Sequence, residues 1–169
     1  ETAGNQEIVV VFSAGNAGPG GNVETPGTAK NVITVGAAEG LRPGTDGCGV
    51  GPSAADSAFD LAFFSSGGPV DDGRVKPDLV APGTHVTGTR SRADGYTGDG
   101  VCAEGFTGDP DRFTWSSGTS HAAPAVSGAA ALLWSRLSAE RGAPPSPALV
   151  KAWLLNTTRY LTSVGDDLP

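Results

Sequence analysis

A run of apolar, mostly β-branched residues, Ile8 to Phe12, follows Glu7 and stops abruptly at Ser13-Ala-Gly-Asn16. It is too short for a helix and lacks the polar alternation of a half-exposed strand. It therefore predicts a strand buried on both faces, the kind that sits in a parallel sheet covered by helices. Val32-Ile-Thr-Val-Gly-Ala37 predicts a second strand, Phe59 to Phe64 a third, and Leu79-Val-Ala81 a fourth, stopped by Pro82-Gly83. Two polar stretches, about 40–58 and 89–113, are read as surface excursions, each carrying one cysteine.

After Ser116 the pattern changes. Ala122 to Leu137 is Ala- and Leu-rich, which predicts a largely buried helix with Pro124 in its first turn. Gly142-Ala-Pro-Pro145 ends it. Ser146-Pro147 then offers an N-cap and an N1 proline for a second helix to about Asn156. Strands first and helices last give an α/β fold with a mostly parallel sheet and C-terminal helices. Ligands of such sheets gather beyond the carboxyl ends of the strands, where Asn16 lies.

Composition narrows the function classes. The 26 Gly and 13 Pro describe one loop-rich globular domain supported by a 38% hydrophobic fraction. A formal net charge of −7 argues against nucleic acid, because phosphate neutralisation needs clustered Lys and Arg. No apolar run reaches the roughly 18 residues of a membrane span, and no basic-then-apolar leader opens the chain. Glu1 stands where a primary product has Met, and Met is absent throughout, so the chain is expected to be processed or cut from something larger. Cys48 and Cys102 belong to no CxxC or Cys/His cluster, which argues against zinc. They are either a disulfide, implying an oxidising compartment, or two free thiols.

Two segments can carry chemistry. In Gly118-Thr-Ser-His-Ala-Ala-Pro124 a hydroxyl lies just before an Ala-rich helix. The free N–H groups at a helix start favour negative charge, so Ser120 could attack a carbonyl while its own N–H binds the developing oxyanion. Equally, Ser120 or Thr119 could be a plain N-cap. In Ser13-Ala-Gly-Asn16, the carboxamide is a neutral donor suited to a developing negative charge, or a residue chosen for turn geometry.

Taken together, five blocks in order resemble the C-terminal half of the catalytic domain of subtilisin-like serine proteases, the subtilases. They are Val9-Val-Val-Phe-Ser-Ala-Gly-Asn16, Thr25-Pro-Gly-Thr-Ala-Lys-Asn-Val-Ile-Thr-Val-Gly-Ala37, Phe64-Ser-Ser-Gly-Gly-Pro69, Asp72-Gly-Arg-Val-Lys-Pro-Asp-Leu-Val-Ala-Pro-Gly83 and Gly118-Thr-Ser-His-Ala-Ala-Pro124. The segment ending in Leu41-Arg-Pro43 is most similar to the oxidatively stable alkaline subtilases of bacteria. The resemblance covers residues 7–157, and the two excursions match poorly.

The resemblance implies a partial subtilisin-like fold and, in a complete parent, a serine endopeptidase working through an acyl-enzyme. It implies Ser120 as nucleophile and Asn16 as side-chain donor of the oxyanion hole. Ser13, Ala14 and Gly15 match the strand flanking the S1 pocket, and Thr25–Pro26 matches a cis bond. Glu24 falls at the S1 floor, where an inward carboxylate would favour Lys or Arg at P1 and an outward one would be solvated. His121 matches a variable position, and His85 matches no catalytic one.

The family order is Asp, His, Ser, so the Asp and His blocks are expected before Glu1. Residues 1–169 alone are expected to be inactive, with one cleft wall missing and a tendency to self-associate. The implied partners are a protein or peptide substrate and the N-terminal half, with no nucleic acid and no membrane. Catalysis needs no cofactor. Structural calcium is implied at Asp78 and the carbonyls near Ala29, against solvated turn residues; Asp94 to Gly100 and Asp109-Pro-Asp111 are further acidic loops. A secreted or extracellular location is implied by the resemblance and would go with a Cys48–Cys102 disulfide, if the two cysteines are bonded. A non-catalytic subtilase-like binding or assembly module is the alternative. An α/β esterase would want Gly-x-Ser-x-Gly, which Ser120 lacks.

Overall fold

The computed structural model describes residues 7–96 and 108–161. Three parallel strands form its centre: β1 (Val11–Ser13), β2 (Ile33–Ala38) and β3 (Leu79–Pro82), ordered β1-β2-β3. Val11 pairs with Ile33, and Val35 with Leu79. β2 is buried along its whole length, as its β-branched sequence requires between two neighbours. Ile33, Val35 and Ala37 point to one face, where they pack with Ala62, Ala122 and Val126. On the other face, a Cβ on Gly36 would come within 2.9 Å of Ser65 Oγ, so only glycine fits there.

Helix α1 (Thr119–Arg141) lies across all three strands. It starts three residues earlier than its apolar run suggests, so Pro124 falls in the second turn. A proline there cannot donate to the carbonyl four residues back, which belongs to Ser120. Gly142 ends the helix in the left-handed region, φ 68°, with its N–H on Ser138 O. The expected burial of this helix is corrected. It buries Ala122, Val126, Ala130 and Leu137, a narrow stripe, while Leu132 stays 75% exposed. Three strands cover one side of a helix and no more. Helix α2 (Pro147–Asn156) forms as expected, with the Ser146 side chain accepting from Leu149 N.

Three further differences concern strands. The opening run is a strand only over Val11–Ser13 and is half-exposed rather than buried on both faces, because β1 is an edge strand with β2 as its one neighbour in the described sheet. Residues 59–64 make only an isolated antiparallel bridge, Ala38 with Leu61. A second, antiparallel pair was not expected: β4 (Val86–Thr89) with β5 (Phe113–Ser116), which brackets the second excursion. The Thr25–Pro26 bond is cis, as the resemblance implied, and so are the Gly68–Pro69 and Lys76–Pro77 bonds.

Candidate active site

β1 ends at Ser13, and the chain leaves its carboxyl end through Ala14, Gly15 and Asn16. Ala14 is buried with its N–H on Val35 O, so the strand geometry persists one residue further. Gly15 then takes φ 109°, and a Cβ there would approach Ser66 Oγ to 2.9 Å. Glycine is required on both counts. The turn is fastened by Ser66 N–H to Gly15 O at 2.9 Å and Ala17 N–H to Ser66 Oγ at 3.1 Å. Asn16 is thereby projected from the sheet, exposed, at the carboxyl edge.

The second half arrives from β5. Gly118 N–H donates to Gly83 O at 2.8 Å, tying the approach to α1 to the end of β3. Gly118 is the N-cap with φ 149° and makes no side-chain cap. The N-cap alternative for Thr119 and Ser120 is therefore corrected, because both already lie inside α1. Thr119 is 1% exposed and reaches across to the other segment. Its N–H and its Oγ1 each lie 2.9 Å from Asn16 Oδ1, and Gly15 N–H donates to Thr119 Oγ1 at 3.2 Å. A backbone N–H can only donate, so the oxygen of the Asn16 carboxamide faces Thr119. Its Nδ2 is left to donate elsewhere, beside Gly118, whose added Cβ would sit 3.4 Å from it.

Ser120 is exposed in the first turn of α1. Its N–H is among those with no intrahelical acceptor, at the positive end of the dipole. An exposed hydroxyl and a helix-start N–H thus follow directly on Thr119, the residue that holds the Asn16 carboxamide. A cavity of about 350 Å³ opens here, lined by Asn16, Gly118 and Ser117 and by Asp46, Val50 and Phe63 of the first excursion and its return.

That excursion has its own buried anchor. Asp46 Oδ1 accepts from Cys48 N at 2.7 Å and Val50 N at 3.0 Å. The fully buried His85 ring stacks on Trp115 at 4.5 Å, with Nδ1 2.7 Å from Arg42 O and Nε2 3.3 Å from Val50 O. Its backbone N–H donates to Ser117 Oγ at 2.9 Å. His85 is thus a packing hub whose ring nitrogens face carbonyls rather than Ser120. His121 lines a separate cavity with Glu39, Thr84 and Ala125, and burial pushes its imidazole below the ordinary histidine range.

Ser13 is half-buried in the sheet, paired with Val35, and Ala14 packs with Val23 and Val70. Glu24 follows Val23 directly but is exposed, and it is not among the residues lining the cavity beside Asn16. Among the described residues no cysteine is free; Cys102, and with it the Cys48–Cys102 pairing, lies outside them. Most of the loop from Asp94 to Gly100 also lies outside them, and Asp109 is a turn residue paired with Arg112 at 3.5 Å.

The residues implied for calcium do not fit a metal ion. Lys76 Nζ lies 2.6 Å from Asp78 Oδ2, 3.0 Å from Val32 O and 2.9 Å from Thr34 Oγ1. Lys151 Nζ lies 3.0 Å from Asp78 Oδ1, 2.8 Å from Val32 O and 3.2 Å from Lys30 O. Each ammonium thereby spends its three donors on the oxygens a cation would need. Two lysines occupy the position expected for an ion.

The profile described as the subtilase family matches residues 1–168, and the chain belongs to that family. It is 36% identical to pyrolysin of Pyrococcus furiosus over 165 residues, covering 91% of this chain and 11% of that protein. It is 35% identical to the serine protease AprX of Bacillus subtilis, covering 79% of this chain and 27% of that one. Among solved structures, the prenylagaramide maturation protease PagA matches with a TM-score of 0.59 at 25% identity, over 90% of this chain and 41% of that one. The self-cleaved protease domain of PatA matches with a TM-score of 0.54 at 26% identity, over 90% of this chain and 43% of that one. The chain therefore spans a small part of its curated relatives and about two fifths of the solved ones. Its fold is the corresponding part of a subtilisin-like α/β fold.

Proposed function

We propose that this chain supplies the nucleophile and oxyanion side of a serine endopeptidase, with the general base and its orienting carboxylate coming from outside residues 1–169. The observation that carries the reading is the pair of hydrogen bonds from the Thr119 N–H and hydroxyl to Asn16 Oδ1, which turns Nδ2 toward Gly118, two residues before Ser120. In this reading Ser120 Oγ attacks the scissile carbonyl, and its proton passes to the external base. The carbonyl oxygen takes the electron pair between Asn16 Nδ2 and the Ser120 N–H. Collapse expels the amine with that proton and leaves an acyl-enzyme on Ser120, which water then hydrolyses.

Neither described histidine supplies the base. His85 is buried with its nitrogens on carbonyls, and His121 follows Ser120 directly and lines another cavity. Residues 1–169 alone are therefore read as inactive, since a serine hydroxyl needs a base to attack at neutral pH. The N-terminal half of the catalytic domain is the partner that would cover Ile8, Val10 and Leu132, apolar residues of β1's approach and α1 that the described chain leaves uncovered or half-covered. Without it, self-association through the same surface follows. The substrate is a protein or peptide. A secreted location is supported by Cys48 not being free. No helix among the described residues is long and apolar enough to cross a membrane.

Ser120→Ala in the complete protein tests the reading. Peptide hydrolysis should fall by about 10³ or more while the fold is retained. Unchanged hydrolysis, or a complete protein with none to lose, would favour a binding or assembly module.

A further inference from the structure

β2 ends at Ala38, and the next residue, Glu39, is 1% exposed although it opens a polar excursion. Two segments of that excursion return to it. Asp56 N–H and Ser57 N–H donate to Glu39 Oε2 at 3.3 and 3.4 Å, and Glu39 N–H donates to Asp60 O at 2.9 Å. The result brings three carboxylates together. Oxygens of Glu39, Asp56 and Asp60 lie within 4.8 Å of one another.

Among the described residues no cation neutralises them. The ion pairs there involve other carboxylates; Arg159 spends its guanidinium on Ala58 O and the Phe59 ring, and Arg42, which lines a cavity with Glu39, gives its Nη1 to His85 O and Thr87 Oγ1. Asp60 is only 5% exposed, yet its buried Oδ1 has no hydrogen-bond partner. A buried carboxylate oxygen without a donor is costly, and buried charge is normally paired or bound to metal. The crowding shows in Glu39 as well. Burial, aided by the Asp60 and Asp56 charges against two backbone hydrogen bonds, pushes its carboxyl up to about 7.

We propose that Glu39, Asp56 and Asp60 bind a divalent cation of the calcium class. The donor set is all oxygen and anionic, which suits a hard ion and gives soft metals no ligand. The orphaned Asp60 oxygen and Glu39 supply the buried side of the site. Exposed Asp56 leaves the outer positions to water, as the six to eight ligands of calcium require. The ion would join the end of β2 to the segment 53–60. Beyond Glu39, the same excursion runs on to Asp46 and Val50, which line the cavity beside Asn16. The site is thus separate from Asp78, where lysines stand in for the ion, and does not depend on Ser120 being a nucleophile.

Calorimetric titration of the complete protein, stripped with EDTA, with calcium chloride alone tests this. Wild type should bind with an affinity of about 10⁻⁵ to 10⁻³ M. Asp56→Asn and Glu39→Gln should each lose one equivalent, or weaken it by more than about tenfold. Asp56 is exposed, so its variant should keep the wild-type circular dichroism and isolates ligation from folding. Calcium should also raise the wild-type melting temperature, and that rise should shrink in Asp56→Asn. Unaltered stoichiometry and affinity in both variants, or no calcium heat in wild type up to about 10 mM, a limit beyond the weakest such sites, would overturn the proposal.

Discussion

Asn16 Oδ1 is held at 2.9 Å by both the N–H and the hydroxyl of Thr119, the residue directly before Ser120. The two segments are 103 positions apart in sequence, and this is the contact that makes them one site. Because Thr119 also accepts the Gly15 N–H at 3.2 Å, its hydroxyl fixes the start of the Asn16 turn and its carboxamide together.

Thr119→Val keeps the backbone N–H on Asn16 but removes the hydroxyl. Gly15 N–H loses its acceptor, which costs about 1–3 kcal/mol of stability. With one of two restraints left, kcat of the complete enzyme should fall about tenfold, less than the roughly 10² to 10³ lost in subtilisin, a member of this same family, when the oxyanion donor itself is removed. Thr119→Ser should restore most of the rate. Steady-state kinetics on a peptide substrate, read as kcat against KM, checks it. A loss confined to KM would mean that Thr119 acts on substrate binding instead.

Asp78 predicts a pH dependence of stability. Burial opposes its ionisation, but hydrogen bonds from Lys76, Thr34 N and Lys151 outweigh this and hold its carboxyl below the ordinary range. A group with a lowered folded pKa binds fewer protons when folded. Its contribution is therefore complete above the unfolded carboxylate value of roughly 4 and is lost as pH falls through the lower folded value. Asp78→Asn should remove that acid-side loss. It should also cost about 3 kcal/mol near neutrality, because Lys76, 4% exposed, is left without its counter-charge. Urea midpoints at neutral and acid pH measure both effects. Equal acid sensitivity in wild type and variant would contradict the assignment.

Glu24 is exposed, and solvent screens a carboxylate so placed. Of the two sequence readings, the solvated one is proposed for the complete enzyme. Glu24→Gln should change kcat/KM for Lys against Leu at P1 by less than about threefold, under about 1 kcal/mol. A loss of about tenfold or more for Lys alone would place the carboxylate at the pocket floor in the complete enzyme.

Much of this arrangement could be read from local sequence. β2, β3 and α2 declared themselves through β-branched runs and through Ser146-Pro147, signals complete within a few residues. The pairing of Asn16 with the start of α1 is implied by the family resemblance and not by local pattern, in which one segment reads as a turn and the other as a cap. What was missed depends on distant partners. Val86 to Thr89 is rich in Thr and Gly and becomes a strand only by pairing with Phe113 to Ser116. Residues 59–64 look like a strand but spend their hydrogen bonds otherwise: Ala62 N–H goes to Ala37 O and Ser65 N–H turns back on Ala62 O. Locally Thr119 reads only as a cap, since nothing nearby in sequence hints that its hydroxyl crosses to Asn16. Lys76 and Lys151 were not expected at Asp78 because local composition does not say which charge fills a ring of carbonyls.

Ser120 is proposed as the nucleophile, with its base supplied from elsewhere. Fluorophosphonate labelling followed by peptide mapping addresses it in one experiment, on the complete protein and on residues 1–169 side by side. The complete protein should carry a single adduct on Ser120, formed rapidly and abolished by Ser120→Ala, and residues 1–169 should remain unlabelled over the same time. An adduct on another residue of an active complete enzyme, or equally fast labelling of residues 1–169, would contradict the account.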